Sequence, residues 1–305
     1  MIAQEFIDSG YPITTVLECV KVSRSRYYYN SKQTGVPRGI KVSTRTRKAG
    51  GEWVDNEEVV KDIEEILGQE FVDYGYIKVT YWLRKVKGYI INKKKVYRLM
   101  HESGLLNTPS RSRQKIKKEW VKELVPQPSR PLEYLEMDIK YIYVHGMGRS
   151  AFLLSVIDVD SRWILGQKLS WKMKQEDVIE IFDKIFETYD LPKKMYIRND
   201  NGSQFAAQFV QEYFFKKEIL QEFTKPATPE QNAHIESFHS ILEKVICRRY
   251  QFSTIKEARE TLNRFLDFYN LERIHSGIGY QSPQEYLKSK NIEMNDLIES
   301  KLLIA

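Results

Sequence analysis

Three carboxylates in this 305-residue chain have the type and setting for metal-assisted phosphoryl chemistry: Asp138, Asp200 and Glu236. Asp200 lies within Ile197-Arg-Asn-Asp-Asn-Gly-Ser-Gln-Phe205. Glu236 closes Thr228-Pro-Glu-Gln-Asn-Ala-His-Ile-Glu236, and 35 residues separate the two acids. Carboxylate oxygens suit a hard cation such as Mg²⁺, which takes one or two of them and keeps its remaining positions for water and phosphate oxygens. Three converging carboxylates can hold two such ions about 3.5–4 Å apart, activating an attacking oxygen and stabilising a leaving one. A lone Asp or Glu is ordinarily a solvated surface residue, so the reading rests on the local context of all three.

That context is a strand, a turn and a helix. Leu135, Met137, Ile139 and Tyr141 alternate with Glu136, Asp138, Lys140 and Ile142, a period of two that predicts a strand with one face in a core and Asp138 projecting from its middle. Met195-Tyr-Ile197 is a short apolar β run. The Asn-Asp-Asn-Gly-Ser that follows is turn chemistry, with Gly202 free to take positive φ. Pro229 suits the first turn of a helix, and Ile235, Phe238, Leu242, Val245 and Ile246 recur at helical spacing. Asn232, Glu236, Ser240 and Glu243 fall on another face, from which Glu236 can point at the strands.

These residues also carry a family likeness. Asp138, Asp200 and Glu236 resemble the Asp, Asp, 35 residues, Glu signature of retroviral integrases and related transposases. Asn232-Ala-His-Ile-Glu-Ser-Phe-His239, Tyr269-Asn-Leu-Glu-Arg-Ile-His-Ser276 and Gln281-Ser-Pro-Gln-Glu-Tyr286 resemble the second-reading-frame (OrfB) protein of insertion-sequence-3-family transposases. The likeness runs from about residue 57 to 288 and is strongest from 132 onward. It implies an α/β, ribonuclease-H-like (integrase catalytic core) mixed sheet with flanking helices, preceded by small all-α helix-turn-helix modules. It further implies catalysis by Asp138, Asp200 and Glu236 with two Mg²⁺ per active site, Mn²⁺ being able to substitute. The implied partners are the terminal inverted repeats of a mobile element, target DNA, a second copy of the chain, and an upstream-frame (OrfA) product joined or bound to it. In that family the first joining links the two element ends into a circle. Gly202 and Gln204 match the family's turn, Gly202 for backbone geometry and Gln204 as support for the site. One departure stands at Glu243, where the family usually has Lys or Arg seven residues after the glutamate; here Lys244 is next to it, turned by about 100° on the helix.

Smaller signals stay open between two readings. Asn232 either orients the Glu236 carboxylate or touches DNA. His239, three residues after Glu236, either approaches the metal site or DNA or is a histidine at the helix rim. Asn270, Arg273 and His275 contact a phosphate or tie the tail onto the core. Asp158, at a strand end in a turn, reads as structural.

Domain organisation follows from composition. Residues 1–30 read as a short helical pair, Ile13–Val20 and Ser23–Tyr29, with Ser23 as a cap, either part of a helix-turn-helix or a plain hairpin. Residues 31–54 are a basic linker. Residues 55–107 form a helix-turn-helix DNA-binding module whose third helix, capped by Asn92 and stopped by Gly104, turns Val96, Leu99 and Met100 inward and Lys93, Lys94, Lys95 and Arg98 outward. Residues 108–131 are a basic, Pro-bearing linker with Arg111, Arg113, Lys115, Lys117 and Lys118; 132–290 are the catalytic core with its C-terminal helices, and 291–305 a tail. No apolar run spans a membrane, no secretory leader is present, and the chain is expected in the bacterial cytosol, associated with the nucleoid. Cys19 and Cys247 offer neither a disulfide framework nor a zinc cluster.

The net charge is +7, and its distribution is uneven. Residues 21–48 carry +9, residues 84–118 carry +11, and residues 119–305 carry −3. Lys93, Lys94, Lys95, Arg98 and the basic residues of 108–118, with Lys244 and Arg273, are the expected DNA contacts. Three functions are compatible with these features: a DNA transposase that cleaves and joins strands at element ends, a non-catalytic DNA-binding regulator derived from one, and a nuclease for RNA–DNA hybrids. The carboxylate trio disfavours the second and the basic helical module the third. If the amino-terminal arms neutralise most phosphates, a 119–305 fragment will bind duplex DNA more weakly and with a shallower salt dependence than the whole chain. Equal affinity in a salt titration would place the contacts in the core.

Overall fold

In a computed structural model of the chain, residues 2–28, 43–107, 127–225 and 229–292 are described. The chain divides into two units, 1–44 and 45–305. The first holds three short helices rather than the expected pair: α1 (Ile2–Asp8), α2 (Ile13–Cys19) and α3 (Arg24–Tyr27). Ser23 caps α3 by accepting from the Arg26 amide, and Tyr27 Oη donates to Gln4 on α1 at 2.8 Å.

The second unit opens with a correction to the linker. Residues within 31–54 form strands β1 (Arg45–Lys48) and β2 (Trp53–Asp55). After α4 (Asn56–Leu67) and α5 (Tyr76–Lys85), β3 (Tyr89–Ile90) completes a three-stranded sheet in the order β2-β1-β3, and α6 (Lys93–Glu102) follows. The helix-turn-helix module is therefore not all-α. β1 escapes notice because Arg45-Thr-Arg-Lys exposes its charges and buries only Thr46, whose hydroxyl donates to Asn56 at 3.0 Å. Asn92 caps α6 through the Lys95 amide, and Gly104 ends it at φ 68°.

The larger sheet follows the alternation. β4 (Tyr134–Val144), β5 (Arg149–Asp158) and β6 (Ile164–Ser170) form an antiparallel meander. α7 (Gln175–Thr188) leads to β7 (Met195–Asn199), and α8 (Ser203–Ala206) with α9 (Gln208–Lys216) to β8 (Ile219–Phe223). β7 runs parallel to β4 and to β8, giving the order β6-β5-β4-β7-β8. A 3₁₀ turn over Pro229–Asn232 enters α10 (Ala233–Leu242), which continues as a π-helical turn over Glu243–Cys247; α11 (Ile255–Leu271) and α12 (Pro283–Ser289) close the fold. Period two sorts side chains to the two faces. Leu135, Met137, Leu154 and Val156 join α7 and α9 in one core, while Ile142, Val144, Leu153 and Ile157 join α10 and α11 in the other.

The second core does not stop at the sheet. Val59, Ile63, Val79, Leu83, Val96 and Met100 of the helix-turn-helix module belong to the same apolar cluster as Phe238, Phe265 and Tyr269 of α10 and α11. Phe71, held at φ 67°, places its ring 5.5 Å from that of Phe265. Beside it, Asp73 forms an ion pair with Arg273 at 2.7 Å and a second with Lys244 at 3.1 Å. Burial alone would raise the Asp73 carboxyl; the two cations overcome it and hold it below its usual range. Tyr74 Oη accepts from the Ile274 amide at 2.9 Å. Removing one partner of a buried pair leaves an uncompensated charge, whereas a half-exposed lysine contributes little. Asp73→Ala is thus expected to lower stability by about 3 kcal/mol and Lys244→Ala by no more than about 0.5 kcal/mol, read from urea unfolding of the whole chain. Equal, small effects would mean that Arg273 is not held by this pair.

Candidate active site and its supports

β4 and β7 lie side by side with Leu135 opposite Ile197 and Glu136 opposite Arg198. β4 carries Asp138 two residues beyond the last paired position, and Asp200 directly follows the end of β7 at Asn199. Asp138 is half-buried, and Asp200 and Glu236 are exposed. Asp138 Oδ1 accepts from the Ile139 amide at 2.8 Å, and its Oδ2 lies 3.4 Å from His239 Nδ1. Asp200 Oδ1 accepts from the Gly202 amide at 2.9 Å, a side-chain turn of the kind Asp favours.

The helix bearing Glu236 runs along β4 in matched steps. Glu136 accepts from the amides of His234 and Ile235, both at 2.9 Å, and its other oxygen is 2.8 Å from His234 Nδ1. Asp138 meets His239, and Lys140 pairs with Glu243 at 3.0 Å. Two residues of strand advance about 6.6 Å and four residues of helix about 6.0 Å, so each even residue of β4 finds a partner about one turn further on. Asn232 adds a contact from Nδ2 to the Met137 carbonyl at 3.4 Å. At 100° per residue, Glu236 lies within about 60° of Asn232, His239 and Glu243 around the helix, on the side from which they reach β4. Among the described residues, no group of three or more His, Cys, Asp or Glu side chains is gathered closely enough to hold a metal ion.

Several expected residues have other settings. Gly202 does not take positive φ; it sits at φ −57°. A Cβ there would stand 2.4 Å from Gln204 Nε2, the far end of a flexible side chain, and 3.0 Å from Asp200 Oδ1. Gln204 thus packs over the turn that carries Asp200. His239 is 9% exposed and Asn232 5%, which makes both interior residues of the α10–β4 contact rather than rim residues. Arg273, expected on DNA, is 2% exposed and paired with Asp73. With Asn270 and His275 also buried, this end of α11 ties the tail to the core; Asn270 Nδ2 donates to the Ile164 carbonyl at 3.0 Å. Lys244 is half-exposed but engaged by Asp73, and Glu243 by Lys140.

On α6, Lys93 and Lys94 are exposed, Lys95 donates to the Arg45 carbonyl at 2.6 Å, and Arg98 pairs with Glu102. Arg111, Arg113, Lys115, Lys117 and Lys118 lie outside the described residues. Asp158 is structural: its carboxyl, 0% exposed, accepts from the Leu132 and Ser161 amides, and burial pushes it up to about 6.

Sequence reasoning missed Glu136, Arg198 and His234. Arg198 pairs with Glu222 at 2.8 Å and donates to the Gln231 carbonyl at 2.9 Å, just before α10. Glu136 stands two residues before Asp138 on β4, and Arg198 two residues before Asp200, which lies just past the end of β7. That spacing, and a charge inside an otherwise apolar strand, were the available signals.

Residues 128–229 and 217–283 each match a family described as integrase core domain, and residues 54–114 match one described as HTH-like domain. A transposase for insertion sequence element IS904 from Lactococcus lactis subsp. lactis (strain IL1403) is 25% identical over 79% of this chain and 98% of its own length. Transposase InsD for insertion element IS2D from Escherichia coli (strain K12) is 24% identical over 94% of this chain and 95% of its own. The solved HTLV-2 integrase catalytic core, in complex with magnesium, is similar over 52% of this chain and 97% of that chain, at 16% identity and TM-score 0.39. The domain matches make this chain an integrase-core protein with a helix-turn-helix-like module ahead of the core. The relatives it is similar to are insertion-sequence transposases, consistent with the OrfB type of the insertion-sequence-3 family.

Because Gly202 has a backbone conformation open to any residue, alanine there acts through crowding alone. Gly202→Ala is expected to shift the unfolding midpoint by less than about 1 kcal/mol equivalent, yet to slow strand cleavage about 10-fold or more by displacing Gln204 and the Asp200 carboxylate. Native-like cleavage by this variant would show that the turn tolerates the displacement.

Proposed function

We propose that Asp138, Asp200 and Glu236 are the catalytic carboxylates with which this DNA transposase cleaves strands at the ends of its element and transfers the freed 3′-hydroxyl to a second phosphodiester. The observation that carries the reading is the placement of the three acids on β4, just past the end of the neighbouring parallel β7, and on the helix tied to β4 by Asn232 and His239. No covalent link to the protein is required: water attacks first, then the 3′-hydroxyl attacks.

The donor set fits hard divalent cations, since all three candidate ligands are carboxylates and two of them are exposed. We assign Mg²⁺, replaceable by Mn²⁺, as a pair of ions on Asp138, Asp200 and Glu236. Bound there, the ions supply activation of the attacking oxygen and charge stabilisation of the leaving oxygen. The protein's own part is positional. His239 and the Ile139 amide hold Asp138, the Gly202 amide holds Asp200, and the β4 contacts fix the helix from which Glu236 projects.

The DNA partners are the element's terminal inverted repeats and the target, with exposed Lys93 and Lys94 on α6 meeting phosphates. Two ends must be held together, which calls for at least a dimer on DNA. An upstream-frame product, fused or bound, is the further partner. Among the described residues no helix is long and apolar enough to cross a membrane.

The test is cleavage and joining of labelled duplexes carrying the element's ends, with Mg²⁺, comparing the native chain with Glu236→Gln. Activity falling to background in the variant, with duplex binding retained, is the expected result. Native activity in the variant would remove Glu236 from the site. Silence of both, cured by adding the upstream product, would show that the partner is required; silence without cure would favour a DNA-binding regulator.

A further inference from the structure

Glu136 is an acidic side chain with 0% exposure whose Oε1 lies 2.8 Å from the His234 ring. A carboxylate in such a place needs its oxygens filled by donors. The donors it receives are the amides of His234 and Ile235, at the first turn of α10, where the helix dipole favours negative charge. Directly across the parallel ladder, Arg198 fixes the 3₁₀ turn that feeds α10 by donating to the Gln231 carbonyl, and Gln231 Oε1 in turn accepts from the Lys225 amide at 2.6 Å. Residues two apart on a strand share a face. The face that grips the start of α10 is thus the face that, one step further along, presents Asp138 and the continuation of β7 toward Asp200.

We infer that Glu136, seconded by Arg198, is a positioning residue: it sets the height and rotation of α10 so that Glu236 is presented to the level of Asp138 and Asp200. The inference rests on the reading of those three acids as the catalytic set. Glu236 directly follows Ile235, whose amide Glu136 holds. A slip of the first turn along β4 therefore moves Glu236 before it moves any other candidate ligand. Asn232 adds a longer contact to the Met137 carbonyl at the N-cap, and His239 with Asp138 and Lys140 with Glu243 lie further down the helix, so the first-turn amides themselves are held by Glu136.

The geometry separates positioning from bulk stability. In Glu136→Gln, the amide oxygen can still accept from both backbone amides and its NH₂ can face the His234 ring, so the grip survives. In Glu136→Met, volume is kept and the grip is lost; replacing a buried charge by an apolar side chain of similar size is often nearly neutral for stability. Val245→Ala, in a fully buried position of the π-helical turn beyond the contacts, provides a variant that is destabilised without touching the grip.

The experiment measures three quantities on the full chain: kcat and KM for duplex cleavage, the unfolding midpoint, and hydrogen exchange at the amides of His234 and Ile235 without metal or DNA. Expected are Glu136→Met with kcat down about 100-fold, as a misplacement of about 1 Å can cost, KM within about twofold, and faster exchange at those two amides; Glu136→Gln within about threefold of native; and Val245→Ala with a lower midpoint but kcat near native. Glu136→Met with native kcat overturns the inference, as does a loss no greater than that of Val245→Ala at equal destabilisation. Glu236→Gln is run alongside. If it cleaves like the native chain, the carboxylate reading fails, and the inference with it; if it is inactive while Glu136→Met is not, only the positioning role fails.

Discussion

Two residues of β-strand and four residues of α-helix advance by nearly the same distance, and the candidate site of this protein depends on that match. Along β4 the even residues Glu136, Asp138 and Lys140 meet His234 and Ile235, then His239, then Glu243. Each contact is polar and each lies on the face that would otherwise need apolar packing; further along, Ile142 and Val144 take over that packing. A polar contact of this kind is directional, so it specifies rotation as well as approach, which an apolar seam does only loosely. The helix that carries Glu236 is consequently fixed about its own axis before any ligand is considered.

The same helix is where the amino-terminal module meets the core. Phe71, Tyr74 and Asp73 reach α11 and the residues after it, while Asp73 also engages Lys244 just past α10. A continuous apolar cluster from Val54 to Ile274 means that the helix-turn-helix module is packed onto the catalytic domain. Truncation between them would strip one face of that cluster, so charge and packing are better separated by substitutions in the whole chain than by fragments.

Much of this was legible because it follows periodicity. The strands from β4 to β8 alternate or run apolar, α7 and α11 repeat at 3.6, and the caps Ser23 and Asn92 are short polar side chains at helix starts. Likewise the acids were visible as acids in a strand, a turn and a helix. What escaped was set by long-range partners. β1 is a central strand made of Arg, Thr, Arg and Lys, paired on both sides, and nothing local distinguishes it from linker. Arg273 looks like a surface cation at a helix end and becomes interior only because Asp73, 200 positions earlier, is there to receive it. Glu136 reads as the solvent side of an alternating strand, whereas the fold covers that side with α10. Gly202 was expected for its backbone freedom and instead takes an ordinary φ with the Gln204 side chain close against it.

The charge pattern then has a structural reading. Of the cations near α10, Lys140 is engaged by Glu243, Lys244 and Arg273 by Asp73, and Arg198 by Glu222. Arg273 is interior, and the others must each give up a carboxylate partner to bind a phosphate. Lys93 and Lys94 on α6 are exposed to solvent. The residues from 119 onward carry a net −3, so on the proposed reading attraction of DNA would fall to the module packed against the core. On the same reading, the core's part is orientation: β4, the turn after β7 and α10 carry the three acids, and a phosphodiester would be drawn in through a bound divalent cation together with the neighbouring module.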